Sequence, residues 1–197
     1  MRVTGFLVVE DPSALKRLGP RQVVHRCWAS LLEVRGIDTY VLAYRKPLAS
    51  GLQIGDASSP FKAWASSYRE EQLSDTVRDT AVTDWAWASA RKHNTDIAVI
   101  VQARCPLMTA ARIEACLRHV SNGHRSAWTV LQRSVLSWDN NSICRTISDA
   151  EVRGCVVRSP VFHKAHISVP VDFLESLDVS DPEQMQLAEA AVSSGLI

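Results

Sequence analysis

The sequence is short of four things: glycine, net charge, long apolar runs and closely paired cysteines. Glycine supplies 8 of 197 residues, about 4% against a usual ~7%. Few glycines leave few places where backbone N–H groups can close on a phosphate without a Cβ in the way. The net charge is +1, from 22 basic and 21 acidic residues. Such a balance argues against a dedicated nucleic-acid binder, which carries a strongly basic face. No stretch approaches ~18 consecutive apolar residues, so no membrane-spanning helix and no membrane partner are expected. The first residues, MRVTGFLVVEDP, lack the apolar region and small-residue cleavage site of a secretory signal, and a cytoplasmic protein is expected. Cys27, Cys105, Cys116, Cys144 and Cys155 form no CxxC pair. Reduced, buried thiols are expected in place of disulfides or zinc.

What is present suits one packed domain over residues 1–197, being 46% hydrophobic and 22% charged. Val3–Val9 reads as a short buried strand, closed by Glu10-Asp11-Pro12. Pro20 precedes a helix over Val23–Val34, whose apolar residues recur at three and four and which Gly36 ends. Ile37–Tyr44 is β-branched and aromatic, a second strand. Leu48–Pro60 reads as a loop and Phe61–Tyr68 as a short helix. Asp79 or Thr80 is expected to cap a helix running to His93. Asp96–Gln102 is a buried strand, and Thr109 caps a helix to Val120. Ser126–Leu136 alternates as a strand, Trp138–Ile147 reads as a loop, and Val152–Arg158 as a strand around Gly154. A last helix runs from Asp181-Pro182 to Val192.

Alternation of this kind predicts an α/β domain with a mostly parallel sheet. Ligands of such sheets sit beyond the carboxyl ends of the strands. Three segments are then expected together: Glu10–Gln22, Gln102–Thr109 and Asp178–Asp181. His163 and His166 have no third ligand nearby and are set aside as a metal pair, and no G-x-S-x-G elbow occurs. Trp85 and Trp87 point to different sides of their helix, so one of them suits a surface or an interface.

The segment from Asp96 through Gln102, Pro106, Leu107 and Thr109 resembles the cytidylyltransferases that activate sialic acid and related sugar acids. Their pattern is a hydrophobic strand, then Q-P-T-S-P-L-R-T, then a helix. Ala103, Arg104, Cys105 and Met108 depart from it. Near the other end, Asp178, Pro182, Glu183, Leu187, Ala188 and Glu189 match those enzymes' I-D-I-D-T-P-E-D-L-E-L-A-E motif. In that family the two Asp residues of D-I-D hold a divalent metal; here the second is Ser180, with Asp181 one position on. The N-terminal Arg17, Gly19, Pro20, Arg21 and Gln22 are similar to the R-M-G and P-K-Q elements of methylerythritol-phosphate cytidylyltransferases. The glycines that precede those elements are absent, and Glu10-Asp11-Pro12-Ser13-Ala14 stands there. Two carboxylates beside a triphosphate cost on the order of 1–4 kcal/mol per charge pair.

The resemblance spans nearly the whole chain in order. It implies a Rossmann-like three-layer α/β sandwich of the nucleotide-diphospho-sugar transferase type, with a mostly parallel mixed sheet and one antiparallel strand. It implies transfer of CMP from CTP to a small anionic acceptor such as a sugar acid, phosphonate or sugar phosphate, with release of pyrophosphate. Arg17 and Arg21 would hold the triphosphate as catalytic cations, and Ser13, Lys16 and Arg69 would help bind the nucleotide. Gln102 would orient the acceptor, and Mg2+ would sit on Asp178, with Glu10, Asp11 or Asp181 replacing the missing ligand. A homodimer is implied as well, with a small dimerisation excursion around residues 137–170. The alternative is a degenerate or repurposed member of the fold, a binding or partner subunit, to which the glycine-poor loop points. A third reading keeps an enzyme but gives Glu10 and Asp11 the working role.

Overall fold

The computed structural model describes residues 1–54, 59, 61–62, 68–73, 82–138 and 144–196. Strand β1 (Val3–Val9) is apolar and buried along its whole length, as a strand covered on both faces must be. A short 3-10 turn (Pro12–Leu15) and a two-residue ribbon, β2 (Arg17–Leu18) with β3 (Arg21–Gln22), lead into α1 (Val23–Glu33). Next come β4 (Thr39–Arg45), β5 (Tyr68–Leu73), α2 (Val82–Lys92), β6 (Ile97–Gln102) and α3 (Ala110–Ser121). A long hairpin, β7 (Ser126–Trp138) with β8 (Cys144–Arg158), β9 (Ile167–Pro170) and α4 (Pro182–Ser193) complete the described chain.

The main sheet has seven strands in the order β5-β4-β1-β6-β8-β7-β9. All neighbours are parallel except where β8 pairs with β6 and β7. This is the expected mixed sheet with one antiparallel strand. Each face carries its own apolar layer. Val3, Leu7, Val9, Val99 and Val101 pack with α1 and α3, whereas Phe6, Val8, Ala98 and Ile100 pack with Val82, Ala86 and Ala90 of α2. The period-2 alternation of β1 and β6 feeds both layers. On α1 the stripe Val23, Val24, Cys27, Trp28 and Leu31 is buried. Each large apolar side chain so buried contributes about 1.5–3 kcal/mol. Trp28 meets Tyr40, Phe61 and Tyr68 edge-on, at 5.8, 5.5 and 5.6 Å between ring centroids.

The structure corrects several boundaries. Tyr68 opens strand β5 and is not the end of a helix. Residues 144–147, read as loop, already belong to β8, and β7 runs on to Trp138. The sequence pattern does not announce β9. The caps sought at Asp79 or Thr80 lie outside the described residues.

One irregularity in the hairpin shapes the end of the sheet. Between Trp128 and Val130 the β7–β8 register shifts, so Thr129 faces three residues of β8, Arg153, Gly154 and Cys155. The Thr129 hydroxyl sits between the Arg153 and Cys155 carbonyls, 3.0 Å from the second, and accepts the Cys155 N–H at 2.9 Å. Gly154 adopts φ +74, a left-handed conformation that favours glycine. A Cβ there would come within 2.8 Å of Met108 Cε and 3.0 Å of Cys105 Cβ. Bulges re-aim side chains beside functional sites, and this one turns Arg153 toward the loop after β6.

Candidate functional site

Strand order reverses between β1 and β6, with β4 on one side and β8 on the other. Such a switch point opens a crevice at the carboxyl ends of the strands. Two adjoining hollows, about 120 and 230 Å3, lie there and share Gln102 and Arg104. Val8, Glu10, Asp11, Ala103 and Ser180 complete the first. Thr83, Ile100, Val152, Gly154, Cys155 and Val156 complete the second. Neither alone reaches the ~300 Å3 of ordinary ligand pockets, though together they do.

Gln102 reaches both hollows because it is the last residue of β6, in register with Val8. The loop after it is held by Ala103 N–H donating to Val8 O at 2.8 Å and Val179 N–H donating to Arg104 O at 2.8 Å. Those bonds bring the Asp178–Asp181 segment to the crevice, as expected. Asp178 is 6% exposed. Its Oδ2 lies 3.3 Å from Arg104 Nε and 3.5 Å from Arg153 Nη1. Its Oδ1 accepts the Ser180 N–H at 3.0 Å and the Ser180 hydroxyl at 2.6 Å. Arg153 also holds Glu151 at 2.6 Å. The Arg153 Nε is buried without a hydrogen-bond acceptor among the described residues, whereas Arg104 Nε, also buried, has the ion pair with Asp178. Next to Asp178, burial pushes the Cys105 thiol up to about 12, and the Asp178 carboxylate adds to it. That thiol stays protonated and is no nucleophile.

The glycine-free loop closes on itself. Asp11 Oδ1 accepts the Ser13 N–H at 2.7 Å, Ala14 N–H donates to Asp11 O, and Lys16 N–H donates to Ser13 O. Three N–H groups of this loop thus point inward. Ser13 is 3% exposed and its hydroxyl has no hydrogen-bond partner among the described residues. Lys16, Arg17 and Arg21 are exposed, the two arginines on the β2–β3 ribbon. None of the three lines either hollow. Arg69 lies apart: its Nη1 meets His93 Nδ1 at 2.6 Å, and His93 Nε2 meets Glu71 at 2.7 Å. His93 comes just after the carboxyl end of α2, which feeds the start of β6, so this cluster sits toward the opposite edge of the sheet.

Asp181 caps α4, its Oδ1 accepting the Glu183 N–H at 2.8 Å. The cap bonds and Gln184 hold its carboxyl below the usual range. The acid before Pro182 that caps the helix is therefore Asp181, while Asp178 is buried beside the crevice against Arg104 and Arg153. A divalent ion finds a poor fit at this point. Both oxygens of Asp178 are engaged, one of them by two cations, and Asp181 is committed to its helix. No group of three or more His, Cys, Asp or Glu able to hold a metal occurs among the described residues. Arg153 carries no signal in the sequence, and Arg104 stands out there only as a departure from a motif.

The architecture is an α/β domain built on a mostly parallel mixed sheet of seven strands. No family model matches the chain, and no curated protein matches it. Solved structures do. One is the 4-diphosphocytidyl-2C-methyl-D-erythritol synthase of Anaerococcus prevotii DSM 20548, with TM-score 0.74 and 11% identity over 98% of this chain and 96% of that one. A second is CMP:2-keto-3-deoxy-manno-octonic acid synthetase complexed with CTP, with TM-score 0.68 and 10% identity over 99% and 100% of the two chains. A third is another 4-diphosphocytidyl-2C-methyl-D-erythritol synthase, with TM-score 0.68 and 8% identity over 97% and 98%. This chain has the fold of those cytidylyltransferases, end to end, at identities that carry the fold alone. Among the described residues no helix is long and apolar enough to cross a membrane.

Proposed function

We propose that the chain is a nucleotidyltransferase that takes CTP and a small anionic acceptor into the crevice and transfers CMP with release of pyrophosphate. The observation that carries this reading is the crevice itself. Gln102, Arg104 and the Asp178 segment converge at the switch point of a fold whose solved neighbours include a synthetase complexed with CTP. In this reading Gln102 orients the acceptor by hydrogen bonds, Arg104 balances charge that develops on phosphate oxygens, and the exposed Arg17 and Arg21 close on the triphosphate tail. An acceptor oxygen attacks the α-phosphorus in line, and the protein contributes positioning and electrostatics. A cytoplasmic homodimer belongs to the same reading.

The inward-turned loop at Asp11–Lys16 favours a second reading, a repurposed member that binds a nucleotide or a partner without transfer. One assay separates the two. Purified protein is given each of the four nucleoside triphosphates, with and without Mg2+, and a panel of sugar acids, phosphonates and sugar phosphates, and pyrophosphate release is monitored. Acceptor-dependent release from CTP supports transfer. Saturable CTP binding without release favours the second reading, and neither binding nor release overturns both.

A further inference from the structure

We infer that this crevice meets its anionic ligand with the Arg104 guanidinium in place of a divalent cation held by Asp178, a carboxylate that Arg153 keeps occupied. The inference rests on the nucleotide reading above and specifies its electrostatics.

Asp178 presents no open oxygen: Ser180 takes Oδ1 through both its N–H and its hydroxyl, and Oδ2 lies between two arginines. A cation arriving there meets two like charges before it meets a lone pair. Magnesium demands octahedral oxygen ligands, and Ser180 with a capping Asp181 supplies no second carboxylate.

Both arginines are held in place. Arg153 is displayed by the three-residue bulge that Thr129 stitches together, and its side chain is 11% exposed. Gly154, wedged against Met108 and Cys105, locks that bulge onto the loop carrying Arg104. Arg104 is tied in turn by its carbonyl to Val179. Guanidiniums fixed in this way supply charge-assisted donors without reorganisation. Arg104 spends its Nε on Asp178, which leaves the two terminal nitrogens of its fork for a ligand.

The carboxylate nearest the arginines, Asp178, is already held by both. Glu10 and Asp11 line the first hollow, and Glu151 pairs with Arg153. Among the described residues, the second hollow has Arg104, Gln102 and Thr83 in its wall and no carboxylate. An anionic group therefore meets Arg104 most favourably in the second hollow.

The test is calorimetric titration of CTP into the wild-type protein, once with excess Mg2+ and once with EDTA. A parallel titration of Mn2+ without nucleotide is read by electron paramagnetic resonance. Metal-free CTP should bind within a few-fold of CTP with Mg2+, and Mn2+ alone should show no bound signal. Arg104→Gln, at a partly exposed site, should weaken metal-free CTP about 10- to 100-fold. CTP binding that vanishes in EDTA overturns the inference and leaves the nucleotide reading standing. So does stoichiometric Mn2+ binding abolished by Asp178→Asn, or an Arg104→Gln variant with unchanged affinity. Failure to bind CTP under either condition overturns both.

Discussion

Thr129→Val tests whether the bulge is the device that builds this crevice. Thr129 is fully buried, and its hydroxyl accepts the Cys155 N–H at 2.9 Å while lying between two carbonyls. Valine keeps the shape closely and removes both functions. The Cys155 N–H is left buried without an acceptor, a cost of about 1–3 kcal/mol, and the donated bond is worth about 0.5–1.5 kcal/mol more. The expected loss is thus about 2–4 kcal/mol, read from urea unfolding as a lower midpoint with an unchanged slope. For a domain of this size that lowers Tm by about 4–16 °C. Thr129→Ser keeps the hydroxyl, loses one methyl and should cost only about 1 kcal/mol. A valine variant within about 0.5 kcal/mol of wild type would refute the reasoning, because ordinary surface changes do no more. A serine variant as unstable as the valine one would refute it equally, since the methyl would then be the cause.

Three further expectations rest on the same geometry. Gly154→Ala forces a Cβ into a left-handed backbone against Cys105 and Met108, and should cost about 2–4 kcal/mol in urea unfolding. Glu175→Ala removes the partner of Thr109 Oγ1 at 2.5 Å and of Arg112 Nε at 2.6 Å; with Arg112 well exposed, about 1–3 kcal/mol should be lost in thermal unfolding. Burial against Phe61, and then Arg21, lowers the His25 pKa below 6.5. The unfolded chain then binds the proton more readily. Stability that His25 contributes is present above 6.5 and lost as pH falls toward the folded value. His25→Phe should flatten stability against pH between about 7 and 5, measured by urea unfolding across that range.

The strongly periodic elements were legible. β1, β6, α1 and α3 carry nearly unbroken apolar faces, and their positions can be read from pattern alone. β5 was not legible because YREEQL has little β-branched content and pairs only with β4, at the edge of the sheet. β9 is four residues ending in proline, tolerated because it too is an edge strand. Gln102 and Asp178 could be placed because each belongs to a recognisable motif at the end of a strand or ahead of a helix. Arg153 could not, since its aim depends on a bulge opposite Thr129 that no local spacing announces. Arg69 went astray for the reverse reason: the resemblance assigned it to the nucleotide, but the side chain turns to His93. The scarcity of glycine was informative in a different way than expected. At residues 11–16 the loop replaces free backbone donors with an aspartate that caps its own turn.

A crystal structure grown with CTP is the most direct test. The nucleotide should lie in the crevice over Gln102, with phosphate oxygens within hydrogen-bond distance of Arg104. A nucleotide bound elsewhere on the chain, or an empty crevice in crystals at saturating CTP, would contradict the proposed site.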